Sequence, residues 1–183
     1  MTTVFQQNPN GKRLLTAPLF ITLSATAALA QTFSLSGAVV DATRVIAGSK
    51  DGHLYAWSRK DGKLLWKVAF GGSVEAPPLI VADVVVVGSR SGHVRALALP
   101  DGAPLWDVDL GAEITAAAAF APPVGKLGAA VLVGAYDGRL HRLDLRTGAS
   151  AWVYETGSYL YGSPAITGDL AVLGGCDGFV HSV

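Results

Sequence analysis

A short glycine-bounded motif recurs four times along this chain: Gly48-Ser-Lys-Asp-Gly52, Gly88-Ser-Arg-Ser-Gly92, Gly134-Ala-Tyr-Asp-Gly138 and Gly174-Gly-Cys-Asp-Gly178, at steps of 40, 46 and 40 residues. In the first three copies a tryptophan follows the closing glycine by fourteen residues, at Trp66, Trp106 and Trp152, and another glycine precedes each tryptophan by four, at Gly62, Gly102 and Gly148. A period near forty residues predicts modules that are each too small to hide their own apolar surface and become stable only when stacked. The fourth copy reaches Val183 before its glycine and tryptophan recur.

Within a unit, short apolar runs alternate with turn residues. The second unit reads as strands over residues 78–82, 84–88, 93–99 and 105–110, separated by Asp83, the Ser89-to-Gly92 turn and a turn around Pro100-Asp-Gly102. Trp106, Val108 and Leu110 alternate with Asp107 and Asp109, which is the pattern of a strand with one buried face. The run Val84-Val-Val-Val-Gly88 does not alternate and predicts a strand covered on both faces. The same grammar predicts strands at 38–40, 44–47, 53–57 and 64–70 in unit one, at 114–120, 129–133, 139–143 and 151–154 in unit three, and at 164–166, 170–173 and 179–183 in unit four. The six extra residues of unit three fall at 122–128, between its first two strands. Outside the first thirty residues Gly and Pro are too frequent for a helix.

The expected fold is therefore all-β: a β-propeller of four-stranded antiparallel blades, three complete and a fourth partial, with blades near 36–71, 74–111, 112–157 and 158–183. The Asp-Gly pairs at 51–52, 137–138 and 177–178 are expected to supply the left-handed backbone of the turn between a blade's second and third strands. The tryptophans are expected to wedge between neighbouring blades.

Lys12 and Arg13 precede an apolar stretch from Leu14 to Leu29, and Ala28-Leu-Ala30 has the small-x-small form of a peptidase site, so residues 1–30 read as an export signal. That stretch falls short of the ~20 apolar residues that span a bilayer and is interrupted by polar residues and Pro18. Setting it aside leaves 12 basic and 14 acidic residues, with no cluster of Lys and Arg, which excludes a phosphate-backbone partner and hence nucleic acid. The expected location is periplasmic or secreted, with no membrane span after removal of the signal.

At the third unit, Arg142-Leu-Asp-Leu-Arg-Thr-Gly-Ala-Ser-Ala-Trp152 resembles the pattern Ala-x-Asp-x-x-Thr-Gly-Lys-x-x-Trp of the pyrroloquinoline-quinone-type β-propeller repeat, matching at Asp144, Thr147, Gly148 and Trp152. The first unit keeps Ala56, Gly62, Lys63 and Trp66; the second keeps Ala96, Gly102 and Trp106. The structural repeat positions are thus Gly52, Gly62, Trp66, Gly92, Gly102, Trp106, Gly138, Asp144, Thr147, Gly148, Trp152 and Gly178. The resemblance implies either a quinoprotein dehydrogenase, with pyrroloquinoline quinone and calcium on the propeller axis, or a non-enzymatic exported propeller that helps assemble outer-membrane proteins. For the first, the usual ligand types are thin: residues 31–183 contain no asparagine, only three glutamates and no adjacent cysteines.

Glu75, Glu113 and Glu155 occur once per unit after the fourth strand and read better as solvated loop acids than as a calcium cage. His53, His93, His141 and His181 belong to separate units at two strand positions, too far apart in register for a zinc site. Cys176 is the only cysteine, without an adjacent base or cation. No catalytic or metal site is assigned and no cofactor is expected. The strand missing from unit four would come from residues 31–36, where Phe33 and Leu35 alternate with polar neighbours, or the open edge would be met by a second chain; a truncated product with exposed edges is the remaining outcome. The favoured function is an exported propeller acting as a protein-interaction or assembly scaffold in the cell envelope, with protein partners or self-association completing a ring. The alternative is a dehydrogenase using pyrroloquinoline quinone on an alcohol or sugar, or a remnant of one.

Overall fold

A computed structural model describes residues 35–183. The expected export signal lies outside the described residues. Fifteen strands form four sheets, and no helix occurs among the described residues. The first sheet holds β1 (Val39–Val40), β2 (Arg44–Gly48), β3 (His53–Ser58) and β4 (Leu64–Ala69); the second holds β5 (Leu79–Val81), β6 (Val84–Gly88), β7 (His93–Ala98) and β8 (Pro104–Asp109). The third contains β9 (Ala119–Ala121), β10 (Ala130–Gly134), β11 (Arg139–Asp144) and β12 (Ser150–Glu155); the fourth contains β13 (Ala165–Thr167), β14 (Leu170–Gly174) and β15 (Val180–Ser182). Each sheet is an antiparallel meander in sequence order, so the described residues form three complete propeller blades and a fourth of three strands. The first strands β5, β9 and β13 of successive blades lie against one another and form the inner side of the arc.

Burial between blades holds the arc together. One core cluster runs from Ile46 and Leu54 in blade one through Val85, Val86 and Val94 in blade two to Val131 and Leu143 in blade three; a second joins Leu132 and Leu140 to Ala171 and Leu173 of blade four. Val85, Val86 and Val87 are all buried, as a non-alternating strand sandwiched between two sheets requires. Trp66 and Trp106 are each 8% exposed and reach across to the following blade, where their indole N–H groups donate to the carbonyls of Leu99 (3.2 Å) and Leu145 (2.9 Å). The rings lie over the glycines of the next blade's turn: a Cβ on Gly102 would sit 2.9 Å from Trp66 Cδ2, and one on Gly148 2.8 Å from Trp106 Cδ2. Gly102 and Gly148 are thus each kept small by the tryptophan of the preceding blade.

Three expectations need correction. In the turns between second and third strands only the glycine adopts positive φ (Gly52 85°, Gly92 90°, Gly138 83°, Gly178 83°), not an Asp-Gly pair. The aspartate instead accepts an N–H two residues on with its carboxylate: His53 on Asp51, Arg139 on Asp137 and Phe179 on Asp177, at 3.0–3.1 Å. The strand expected over 114–120 is confined to β9, because the Ile114 N–H is drawn to the Ser89 carbonyl (3.1 Å) and holds the preceding residues as a linker. Finally, Leu35 bridges to Ser49 and the Ser36 N–H donates to the Gly48 carbonyl at 2.8 Å, so these two residues lie along β2 of blade one and not on the open edge of blade four. Residues 31–34 lie outside the described residues.

Candidate functional site

The linkers between blades, near 70–78, 110–118 and 156–164, share one construction. Each inserts a fully buried apolar residue, Val74, Ile114 or Leu160. Val74 N–H and Ile114 N–H bond the turn of the blade just left, at Ser49 and Ser89. The preceding carbonyls, of Ser73, Glu113 and Tyr159, accept from Arg90, Tyr136 and Cys176 in the turn of the blade about to begin. The first motif glycine is tied to the same insertion, since a Cβ on Gly48 would meet Val74 Cγ1 at 2.5 Å. The side chains on either side of each buried residue are therefore turned outward, beside those of the turn positions Lys50, Arg90, Tyr136 and Cys176.

Two groups of side chains occupy this rim. At the first junctions Arg90 binds Glu113 through Nη2 (2.8 Å) and Nε (3.0 Å) and reaches Glu75 at 3.4 Å, while Lys50 lies 3.9 Å from the other Glu75 oxygen. Glu113 first, then Glu75, push the Arg90 guanidinium above its ordinary value, so it is cationic throughout the working pH range. At the last junction Tyr136 stacks on Tyr159, with centroids 4.4 Å apart, and meets Tyr161 edge-on at 5.0 Å. The Tyr161 hydroxyl donates to Tyr136 Oη at 2.5 Å; that hydrogen bond, with burial and neighbouring charge behind it, pushes Tyr161 up to about 12. Tyr159 and Tyr161 remain 51% and 53% exposed. Arg90, Glu113, Thr115, Tyr136 and Tyr161 enclose an open cavity of about 540 Å³. Exposed tyrosine rings offer large amphipathic contact area with few rotatable bonds, and Tyr and Arg are the residues in which interface binding energy concentrates.

The structure places the sequence-derived residues elsewhere. Gly52, Gly92, Gly138 and Gly178 close the inner turns, and Gly62, Gly102 and Gly148 the outer ones, all with positive φ. Trp152, in β12, is only half-buried and, among the described residues, its indole N–H meets no acceptor. Asp144 ends β11 and Thr147 sits in the turn that follows, where the carboxylate accepts the Thr147 hydroxyl (2.8 Å) and N–H (2.9 Å). Of the three glutamates, Glu75 and Glu113 converge on Arg90, whereas Glu155 ends β12 and pairs with Arg139 at 3.0 Å. The histidines stay apart: His53 is near Asp51, His93 contacts Asp107, His141 is buried, and His181 bonds Asp177 and Tyr154. Among the described residues, no three His, Cys, Asp or Glu side chains are grouped to hold a metal ion. Tyr136, Tyr159 and Tyr161 escaped the sequence reading. Aligning the linkers on Val74, Ile114 and Leu160 finds them, since Ser73, Glu113 and Tyr159 then fall at one position and Glu75, Thr115 and Tyr161 at another.

With repeat, sheets and rim in hand, a family model described as outer membrane protein assembly factor BamB matches residues 7–175. The chain belongs to this family. Among solved structures, BamB from Moraxella catarrhalis is 26% identical with a TM-score of 0.67, over 81% of this chain and 44% of that one. The computationally designed proteins Ika8 (22% identity, TM-score 0.69, covering 81% of this chain and 45% of that chain) and Ika4 (21%, 0.71, 86% and 94%) share the fold. The chain thus spans less than half the length of the crystallised BamB. No curated protein matches the sequence.

Proposed function

We propose that this chain is an exported propeller scaffold that holds protein partners in the cell envelope during outer-membrane protein assembly, with residues 1–30 as its export signal and no cofactor in its working state. The observation that carries this reading is the exposed Tyr136–Tyr159–Tyr161 cluster beside the ion-paired Arg90, on a rim built by the linkers and set on rigid blades. The family match supports the assignment, because a relative is described as an assembly factor. A quinoprotein reading draws no support from the rim, where Glu75 and Glu113, the acids grouped there among the described residues, are paired with Arg90.

The test is capture of outer-membrane assembly components from envelope extract by immobilised protein, comparing wild type with a Tyr159→Ser, Tyr161→Ser double variant. Both residues are half-exposed, so the fold is retained, and capture is expected to fall about ten-fold or more, as for loss of interface anchors. Equal capture by the double variant, or uptake of pyrroloquinoline quinone with calcium by the wild type, would overturn the reading.

A further inference from the structure

The rim cavity of Arg90, Glu113, Thr115, Tyr136 and Tyr161 has the chemistry of a site for one kind of side chain. Its walls come from the turns of blades two and three, which each have a described blade on either side, and from linkers that each join two described blades. Tyr136 and Tyr159 lie face to face, and Tyr161 stands at 85° to Tyr136, so the rings form a corner with two aromatic walls. Such walls offer the negative face of their rings to a cation.

Carboxylates stand beside that corner in excess. Arg90 is shared by Glu113 and Glu75, and Arg139 by Glu155 (3.0 Å) and Asp137 (3.6 Å). With Lys50, 3.9 Å from Glu75, counted among the bases, these acids still exceed their partners by one charge. Arg90 bonds only the Oε2 atom of Glu113, so the Oε1 atom of this cavity-lining residue accepts no hydrogen bond among the described residues. The same chain shows what a ring and a carboxylate hold together: Arg95 places its Cζ 4.7 Å from the centre of the Phe70 ring while its Nε donates to Asp107 at 2.8 Å.

We propose that the cavity receives an arginine side chain from a basic segment of the partner protein, with the guanidinium flat against the Tyr161 ring and its N–H edge on Glu113 Oε1. The inference rests on the scaffold reading and names the chemistry by which that rim holds its partner. Arginine fits this site better than lysine, because a planar guanidinium stacks on a ring and bonds a carboxylate at once, whereas an ammonium is a compact, strongly hydrated point charge. The excess of carboxylate disfavours an acidic segment.

The probes are the capped peptide Gly-Arg-Ser-Arg-Gly and two versions of it, one with lysine and one with citrulline, which keeps the shape and removes the charge. Each is titrated into the protein while the tyrosine ring protons are followed by NMR. The arginine peptide is expected to bind saturably at about millimolar concentration and to shift the Tyr161 and Tyr159 rings, the lysine peptide to bind about three-fold more weakly and the citrulline peptide about ten-fold more weakly. Added salt should weaken the arginine peptide and leave the citrulline peptide unchanged. Tyr161→Phe keeps the ring face and should bind within about two-fold of wild type, whereas Tyr161→Ser should lose about ten-fold and Glu113→Gln about three-fold. No binding by about 10 mM arginine peptide, equal binding of the citrulline peptide, or wild-type affinity in Tyr161→Ser would each overturn the proposal. The peptide arms use unaltered protein, so they decide the matter even where a variant unfolds. Capture of envelope components that depends on Tyr159 and Tyr161, without arginine-peptide binding, would keep the scaffold reading and overturn this inference; peptide binding without capture would keep the arginine site and overturn the scaffold reading.

Discussion

Trp106 donates its indole N–H to the carbonyl of Leu145, thirty-nine residues further along the chain and one blade away, at 2.9 Å. The bond and the ring's burial act between sheets, where a propeller's stability has to come from. Trp106→Phe keeps most of the apolar contact and leaves the Leu145 carbonyl without its donor, which is expected to cost about 1–3 kcal/mol. Trp106→Ala removes the ring as well and is expected to cost about 3–5 kcal/mol. Urea unfolding followed by circular dichroism measures both, and equal midpoints for the two variants would show that the ring contributes nothing beyond its N–H.

Gly148 lies under that ring with φ 72°, and an added Cβ would stand 2.8 Å from Trp106 Cδ2 and 3.0 Å from Val108 Cγ2. Gly148→Ala combines left-handed strain of about 1–2 kcal/mol with this overlap. In a Trp106→Ala background the overlap with the indole disappears and the strain remains. The cost of Gly148→Ala is therefore expected to fall by about 1 kcal/mol in that background, a coupling that a double-mutant cycle reads directly. Strict additivity would mean that the glycine is required by its backbone conformation alone.

The repeat made the blades legible because each copy obeys the same local rule, and Trp66 and Trp106 could be assigned to the blade junctions before any coordinates. What escaped the sequence depends on partners distant in the chain. Ile114 to Ala118 has the apolar content of a strand, but its backbone is claimed by Ser89 of the blade before. The tyrosine cluster joins a turn residue, Tyr136, to linker residues more than twenty positions later, and only the shared insertion of Leu160 brings them together. The glutamates, read from the sequence as loop acids and not a calcium cage, do not share one site: the linker register gives Glu75 and Glu113 to Arg90 and leaves Glu155 on β12, partners that spacing alone does not reveal.

Blade three alone carries the full Asp-x-x-Thr-Gly turn. The Asp144 carboxylate accepts the Thr147 hydroxyl and the N–H groups of Thr147 and Arg146, and the hydroxyl bond leads in holding Asp144 below the usual carboxylate range against the opposing effect of burial. A carboxylate depressed in the folded state contributes stability that is present above its unfolded pKa of about 3.9 and is lost as pH falls through the folded value. Thr147→Ala is expected to cost about 0.5–1.5 kcal/mol at pH 7, the worth of one such hydrogen bond, and a smaller amount at pH 3. A loss that does not shrink in acid would place the threonine's contribution in the backbone conformation of the turn.

His141 sits in the middle of β11, 8% exposed, and its Nε2 is buried without a hydrogen-bond partner. Burial pushes its pKa below the ordinary value, with Asp137 opposing and Arg139 adding to the effect. The unfolded chain takes up a proton on this imidazole near pH 6.5, while the folded chain resists until lower pH. Between those two values the unfolded state binds more protons, so His141 makes stability fall as the solution is acidified below about 6.5. His141→Leu fills the site without a titrating group and removes an unsatisfied buried nitrogen, so it is expected to be neutral or stabilising at pH 7.5 and to flatten the decline between pH 7.5 and 5.5. The check is the urea midpoint of both proteins at the two pH values. An undiminished decline in the variant would show that burial of the His141 imidazole is not the source of the acid sensitivity.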